Sequence, residues 1–172
     1  MRYCAAAGLA FLLVAAAPAD PSPMSAMSGR WSEHMRSGLV DGTEFWVDDV
    51  AEIVPVDADH AYLRFALNFY NGHTCTLAGV AGVEGRELVF HDVTDVSGDG
   101  VRCTLHVSRK GPDLHWDDAG TCKSYCGVRG SFLDGSLPGR SHRPITYLPK
   151  LKASSTYRDA ITAWRTGKPV NP

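Results

Sequence analysis

The strongest constraint on the fold of this chain is a run of alternating residues near its middle. Between positions 61 and 70 every second residue is large and apolar, and the set is Leu63, Phe65, Leu67 and Phe69. A period of two residues is that of a β-strand with one buried face. Asn71-Gly72 follows at once, and this dipeptide suits the positive φ angles of a two-residue hairpin turn. Residues 73–80 alternate again, so the two runs predict a β-hairpin.

Shorter alternating runs follow at 87–91, 101–107 and 113–117, and turn residues separate them. The residues expected to point inward are Leu88, Phe90, Val101, Cys103, Leu105, Val107, Leu114 and Trp116. Earlier strands are expected near 29–35 and 44–56. Strands joined in sequence by short turns form an antiparallel meander, which must curl into a barrel or pack a second layer on its apolar face. The sequence therefore predicts a mainly β fold, with the meander forming a small barrel or a two-layer β-structure.

The last third of the chain has a helical periodicity. Residues 154–165 (SSTYRDAITAWR) begin with candidate capping residues, and their apolar stripe consists of Tyr157, Ala160, Ile161 and Trp164. This spacing predicts a short C-terminal α-helix that packs its apolar stripe against the β-structure. Gly167 and Pro169 are expected to end it.

The first 19 residues have the composition of a secretory signal peptide. A single Arg precedes an apolar stretch, and Ala17-Pro18-Ala19 offers the small residues that a signal peptidase requires, so we expect cleavage before Asp20. Cys4 precedes the apolar stretch, which disfavours a lipid anchor, and no later segment has the roughly 20 apolar residues of a membrane span. The sequence therefore predicts an exported, soluble chain that is periplasmic or secreted.

About 150 residues remain after the expected cleavage, which is enough for one ordinary domain. Residues 20–29 are rich in Pro, Ser and Gly and are expected to form a flexible leader. Residues 30–135 are expected to form a disulfide-stapled β-domain, and residues 136–172 a basic C-terminal extension that carries the helix.

Four cysteines follow the expected signal peptide, and they are Cys75, Cys103, Cys122 and Cys126. An even number in an exported chain predicts two disulfides. A zinc site at Cys122 and Cys126 is the alternative, although zinc sites usually have two close ligand pairs and this chain has one. No metal or cofactor is therefore predicted. Three pairings exist and the sequence does not choose among them, but a turn near 111–112 favours Cys103 with Cys122, and thus Cys75 with Cys126.

Charges are distributed unevenly along the chain. From Asp20 to Ser136 there are nine Lys and Arg against eighteen Asp and Glu, whereas from Leu137 onward there are seven against one. One interpretation is that the basic segment packs across the acidic body. The other is that acidic turns form a negative rim that attracts a cationic protein, and the acids concerned are Asp92, Asp95, Asp99, Asp113, Asp117 and Asp118. Nucleic acid is not an expected ligand, because duplex binding requires a basic face.

The sequence has no motif that indicates an enzyme. It contains no Gly-x-Ser-x-Gly elbow, phosphate-binding glycine loop, His-Glu-x-x-His helix or dinucleotide fingerprint. A non-catalytic binding protein is therefore the first hypothesis. The alternative is a small-ligand carrier or a hydrolase that uses His91, His106 or His115 at the mouth of a barrel. Alternation predicts that His91 and His106 point away from the apolar face.

The exported meander, the Asn71-Gly72-His73-Thr74-Cys75 hairpin and the cysteine-containing region 103–126 resemble small bacterial periplasmic β-barrel proteins of the lysozyme-inhibitor type. The resemblance covers roughly residues 30–135. In such inhibitors a Ser-Gly loop followed by a Tyr enters the lysozyme active site; here Ser97-Gly98-Asp99-Gly100-Val101 matches the Ser-Gly and lacks the Tyr. The resemblance implies an exported inhibitor of a basic hydrolase such as lysozyme, with Ser97, Gly98 and Asp99 contacting the partner.

Overall fold

The computed structural model describes residues 22–93, 95, 98 and 100–170 of the chain. Within them, eight strands form one antiparallel sheet in which every strand pairs with its neighbours in the sequence. The strands are β1 (Gly29–Gly38), β2 (Glu44–Pro55), β3 (His60–Asn68), β4 (Thr74–Glu84), β5 (Glu87–His91), β6 (Thr104–Lys110), β7 (Asp113–Asp117) and β8 (Gly135–Leu137). The mainly β meander predicted from the sequence is confirmed. The expected signal peptide, residues 1–19, lies outside the described residues.

The sheet curls into a nearly closed barrel. β8 pairs with β7, and the chain that leaves β8 then returns to β1. There Arg30 and Arg143 exchange two backbone hydrogen bonds of 2.8 and 2.9 Å. Ser141 adds a further contact, because its Oγ accepts a hydrogen bond of 3.0 Å from the backbone N–H of Ser32. Of the two predicted arrangements, the barrel is therefore the one observed.

The predicted hairpin joins β3 to β4 through a slightly longer turn than expected. Tyr70–Gly72 form a 3₁₀ turn, and the N–H of Phe69 donates to the carbonyl of His73 at 2.7 Å. Asn71 and Gly72 have φ angles of 62° and 71°, so the dipeptide supplies the left-handed backbone expected of it. β3 ends at Asn68 and β4 begins at Thr74, so the connection has five residues, 69–73, instead of the two expected.

Alternate strand residues fill the interior of the barrel, as the periodicity predicts. The ring of Phe65 contacts the rings of Trp116 and Phe132 edge-on, with centroids 5.1 and 5.8 Å away. Val101 does not follow the prediction: it is 46 % exposed, because β6 begins only at Thr104. The residues buried as predicted are Leu63, Phe65, Leu67, Leu88, Phe90, Cys103, Leu105, Val107, Leu114 and Trp116.

A short helix, α1 (Pro23–Met27), lies where the composition predicts a flexible leader. Met24 and Met27 are buried in the barrel core, and Trp31 Nε1 donates to the carbonyl of Met27 at 2.9 Å. These two side chains hold the segment in place. A helix of five residues is too short for its periodicity to be recognised within a segment rich in Pro and Ser, so the pattern did not predict it.

Two helices, α2 (Leu148–Lys152) and α3 (Ser155–Thr166), cover part of the outer wall. α3 begins after Ser154, whose Oγ accepts a hydrogen bond of 3.2 Å from Tyr157 N, and it ends at Gly167, whose φ is 62°. The helix predicted at 154–165 is thus present. Against the wall, Leu151 and Ala160 bury the outward-facing side chain of Tyr62. None of the helices in the described residues is long and apolar enough to cross a membrane.

A buried carboxylate connects the C-terminal segment to the wall. Glu52 is 1 % exposed, and it accepts hydrogen bonds from Arg64 Nη1 at 2.8 Å and from the hydroxyl of Tyr147. Burial, together with this bond to Glu52, raises the pKa of Tyr147. β8 (Gly135–Leu137) spans the boundary expected at residues 135–136, so the last strand of the sheet includes the first residues of the basic segment.

Candidate functional site

The two ends of the barrel carry different connections. The β1–β2, β3–β4, β5–β6 and β7–β8 connections, residues 39–43, 69–73, 92–103 and 118–134, emerge at one end, which we call the loop end. The other three connections, residues 56–59, 85–86 and 111–112, emerge at the opposite end, which we call the turn end. The two longest loops are therefore side by side at the loop end, and this places the candidate site there.

Both disulfides lie at the loop end. Cys103 is bonded to Cys122 and joins the 92–103 loop to the 118–134 loop, while Cys75 at the start of β4 is bonded to Cys126. This is the pairing favoured from the order of the strands. The two bridges fix the 118–134 loop at two points four residues apart. Two disulfides are compatible with a chain that folds in an oxidising compartment.

Backbone contacts fix the tip of the 118–134 loop further. Lys123 Nζ donates to the carbonyl oxygens of Gly127, Val128 and Gly130 at 3.3, 2.9 and 2.7 Å. Gly127 N donates to Thr74 O at 2.8 Å. Gly130 packs so closely on the disulfide that a Cβ there would lie 2.6 Å from Cys75 Sγ. The tip therefore has a defined conformation although it contains no strand.

This fixed tip presents apolar side chains to solvent. Val128 is 83 % exposed and Leu133, in the same loop, is 56 % exposed. Among the described residues, five of the eight exposed large hydrophobic residues lie in the four loops of the loop end: Val40, Tyr70, Val101, Val128 and Leu133. Trp46, 59 % exposed, follows near the start of β2. Sequence reasoning missed this surface, because isolated apolar residues in loops have no periodicity.

The acidic rim expected from the sequence is only partly present. Asp118 is buried and accepts hydrogen bonds from Gly120 N at 3.0 Å and from Cys122 N at 2.7 Å, so it shapes the loop. Asp92 is buried as well, and Asp113 lies at the turn end, where it accepts from Gly139 N. Asp99 lies outside the described residues. Exposed acids remain at the loop end, among them Asp41 and Asp134, and the exposed bases Arg102 and Arg129 lie in the same loops.

Asp92 has a partner that the sequence did not indicate. The hydroxyl of Tyr125 donates to Asp92 Oδ2 at 2.5 Å. Burial and this hydrogen bond raise the pKa of Tyr125 well above its usual range, so the phenol remains a donor at any physiological pH. The pair connects the first residue of the 92–103 loop to the segment between Cys122 and Cys126. It thereby adds a second link between the two longest loops, beside the Cys103–Cys122 disulfide.

The Ser-Gly loop lies partly outside the described residues, which include Gly98 but neither Ser97 nor Asp99. Gly98 has a φ of 73°, and its N–H donates to Asp95 Oδ1 at 2.7 Å. Gly100 N donates to the other oxygen, Oδ2, of the same carboxylate at 2.5 Å. Asp95 thus bridges two amides that flank position 99. The contact of Ser97, Gly98 and Asp99 with a partner stays a prediction.

The three candidate histidines do not converge on one site. His91 bonds Glu84 at 3.0 Å and His106 bonds Glu87 at 2.9 Å; both side chains are about half exposed, as alternation predicts. His115 bonds Asp134 at 2.8 Å. Each histidine therefore has its own carboxylate. Within the part of the chain that the structure describes, no group of three or more His, Cys, Asp or Glu is placed to hold a metal ion.

Comparison with known protein families, curated proteins and solved structures finds no match to this chain. The candidate site therefore rests on the geometry of the loop end alone.

Proposed function

We propose that this chain is an exported, non-catalytic binding protein that binds a protein partner through the loop end of its barrel. The observation that carries the proposal is the set of exposed apolar side chains on the four loops of the loop end, of which the two longest are held by the disulfides. Exposed apolar patches on a soluble protein mark interaction sites. A fixed loop loses little conformational entropy on binding, which favours affinity.

The packing of the barrel interior supports surface binding over an interior carrier site. Phe65, Phe90 and Trp116 are all at most 6 % exposed and fill the space between the strands. The histidines of the alternative hypothesis lie on the outer face, each beside its own carboxylate. A carrier or a hydrolase that works at the barrel mouth would need polar groups that converge on a cavity there.

For the partner, we propose a basic protein, and a lysozyme-type hydrolase in the periplasm or a secreted fluid is the specific candidate. The exposed acids Asp41 and Asp134 directly follow the exposed apolar residues Val40 and Leu133, and their carboxylates would pair with Lys or Arg side chains around an apolar contact on a basic partner. We choose a lysozyme-type hydrolase as the candidate because the meander and its Ser-Gly loop resemble the lysozyme-inhibitor type.

The test is inhibition of lysozymes of each class by the purified protein at micromolar concentration and low salt. We expect turnover to slow, and we expect Ser97→Ala and Asp99→Asn to weaken the effect. Val128→Asp should reduce affinity by roughly tenfold or more, because it replaces the most exposed apolar side chain of the loop end, 83 % exposed, with a charge. The matched control is Val170→Asp, which introduces the same charge at an exposed apolar residue outside the loops.

Two results would contradict the proposal at different levels. If no lysozyme class is bound or inhibited, the specific partner is wrong. If a partner binds and Val128→Asp and Val170→Asp bind it equally well, the loop end is not the binding surface.

A further inference from the structure

A groove separates α3 from the barrel wall where β4 and β5 diverge. β5 pairs with β4 only between Ala81 and Glu84, and the preceding part of β4 pairs with β3 on its other side. Helix α3 lies over this part of β4. The space that remains has a volume of about 400 Å³, which is within the usual range for small-molecule sites.

The lining of this groove combines apolar surface with negative charge. Val80 and Phe90 line it from the wall, and Ala160, Ala163 and Trp164 line it from α3. Asp92 and Asp159 line it from the wall and the helix respectively, and no Lys or Arg is among the described lining residues. Asp92 is 7 % exposed, so one of the two carboxylates is deeply placed.

We propose that this groove binds a small organic cation with an apolar body. The carboxylates of Asp92 and Asp159 are complementary to a positive charge, and Asp92 also accepts a hydrogen bond from Tyr125. The ionisable base among the described lining residues, His91, is paired with Glu84. A deeply placed carboxylate favours a cation because water screens its charge little. The indole of Trp164 offers a face for a cation–π contact. The apolar residues of α3 and β4 fit the hydrocarbon part of such a ligand. The groove adjoins the loop end, because Asp92 and Tyr125 belong to its two longest loops. None of the exposed apolar residues of the loop end is among its described lining residues, so the inference does not depend on the proposed function.

The test compares three probes of equal size and different charge: benzylamine, benzyl alcohol and benzoate. Binding is followed by two-dimensional NMR through the indole N–H signal of Trp164, which is assigned by its loss in Trp164→Phe. We expect benzylamine to shift this signal in a saturable way and benzoate to leave it unchanged. The neutral alcohol should bind at least tenfold more weakly than the amine.

Two pairs of variants locate the site. Asp159→Asn removes one charge on an exposed helix position and should weaken benzylamine binding by roughly two- to fivefold, while Asp59→Asn, an exposed acid in the β2–β3 connection, should not. Ala163→Phe should fill the groove and abolish binding, while Thr162→Phe adds the same ring on the exposed side of α3 and should preserve it. Amide spectra confirm that each variant is folded.

The proposal is overturned if benzylamine does not shift the Trp164 signal, or if benzyl alcohol or benzoate binds as tightly as benzylamine. It is also overturned if Asp159→Asn and Ala163→Phe bind benzylamine as well as their controls do.

Discussion

The two ends of the barrel are closed and stabilised by different means. At the turn end the connections are short, and α1 buries Met24 and Met27 in the core, with Arg109 Nη1 donating to the carbonyl of Ala26 at 2.9 Å. At the loop end the connections are long, disulfides replace regular structure, and apolar side chains such as Val128 face solvent. The turn end is built for stability by burial. The loop end has a fixed shape and keeps its apolar groups available, which is the arrangement of a binding surface.

Removing a disulfide should show the largest difference between the ends. Cys75→Ala/Cys126→Ala opens a loop of 51 residues, and we expect a loss of about 4 kcal/mol in the free energy of unfolding. Cys103→Ala/Cys122→Ala opens a loop of 19 residues and should cost about 3 kcal/mol. Urea denaturation measures both. Equal stability of the wild type and both double variants would show that the loop end does not depend on its covalent links.

At the turn end, the matching test is a substitution of Met27, the methionine of α1 that is fully buried in the core. Met27→Ala should lower the free energy of unfolding by about 3 kcal/mol, because it leaves a cavity where a fully buried side chain was. The control is Met35→Ala at a half-buried position of β1, which should cost clearly less. Binding at the loop end should be unchanged in Met27→Ala wherever the protein is folded. A loss of less than 1 kcal/mol, on the order of an exposed substitution, would mean that α1 is not part of the core.

Alkaline titration compares two buried tyrosines, Tyr125 at the loop end and Tyr62 in the wall beneath α2 and α3. Burial raises the pKa of Tyr62 to about 12, and burial with the Asp92 hydrogen bond raises the pKa of Tyr125 still further from its ordinary value. Both phenols keep their protons longer in the folded chain than in the unfolded chain. The free energy of unfolding is therefore at its full value below a pH of about 10 and falls as the pH rises toward 12.

Tyrosinate absorbance recorded against pH checks this expectation. Tyr62 and Tyr125 should ionise late and together with the loss of structure, and Tyr62→Phe and Tyr125→Phe should each remove one late group. Tyr147, whose pKa burial also raises, should ionise above its ordinary value as well. Ionisation of every tyrosine near pH 10 in a chain that stays folded would contradict the burial of both groups.

The smallest effect on stability is expected for a substitution of an exposed apolar residue at the loop end. Val128→Ser should change the free energy of unfolding by less than about 0.5 kcal/mol, because the side chain is 83 % exposed. The same variant should weaken binding of the partner. Thermal denaturation and a binding assay on one preparation provide both numbers. A large loss of stability would instead assign Val128 a packing role.

Local periodicity made most of the barrel predictable from the sequence. The inward set of β3, β5, β6 and β7 follows from alternation, because the pleat sends successive side chains to opposite faces. The short C-terminal helix follows from the spacing of Tyr157, Ala160 and Trp164. The pairing of the cysteines followed from the order of the strands, once a meander was assumed.

Features that depend on contacts between distant segments were decided by the tertiary structure alone. The burial of Met24 and Met27, the buried Glu52 beneath Tyr147, the Asp92–Tyr125 hydrogen bond and the return of Arg143 to β1 each join residues that no local pattern relates. The same holds for the exposure of Val128 and for the burial of Asp92 and Asp118. A sequence period specifies which face of an element is apolar. Which loops meet, and which of their side chains remain in solvent, is determined only when the sheet closes and the disulfides bring those loops together.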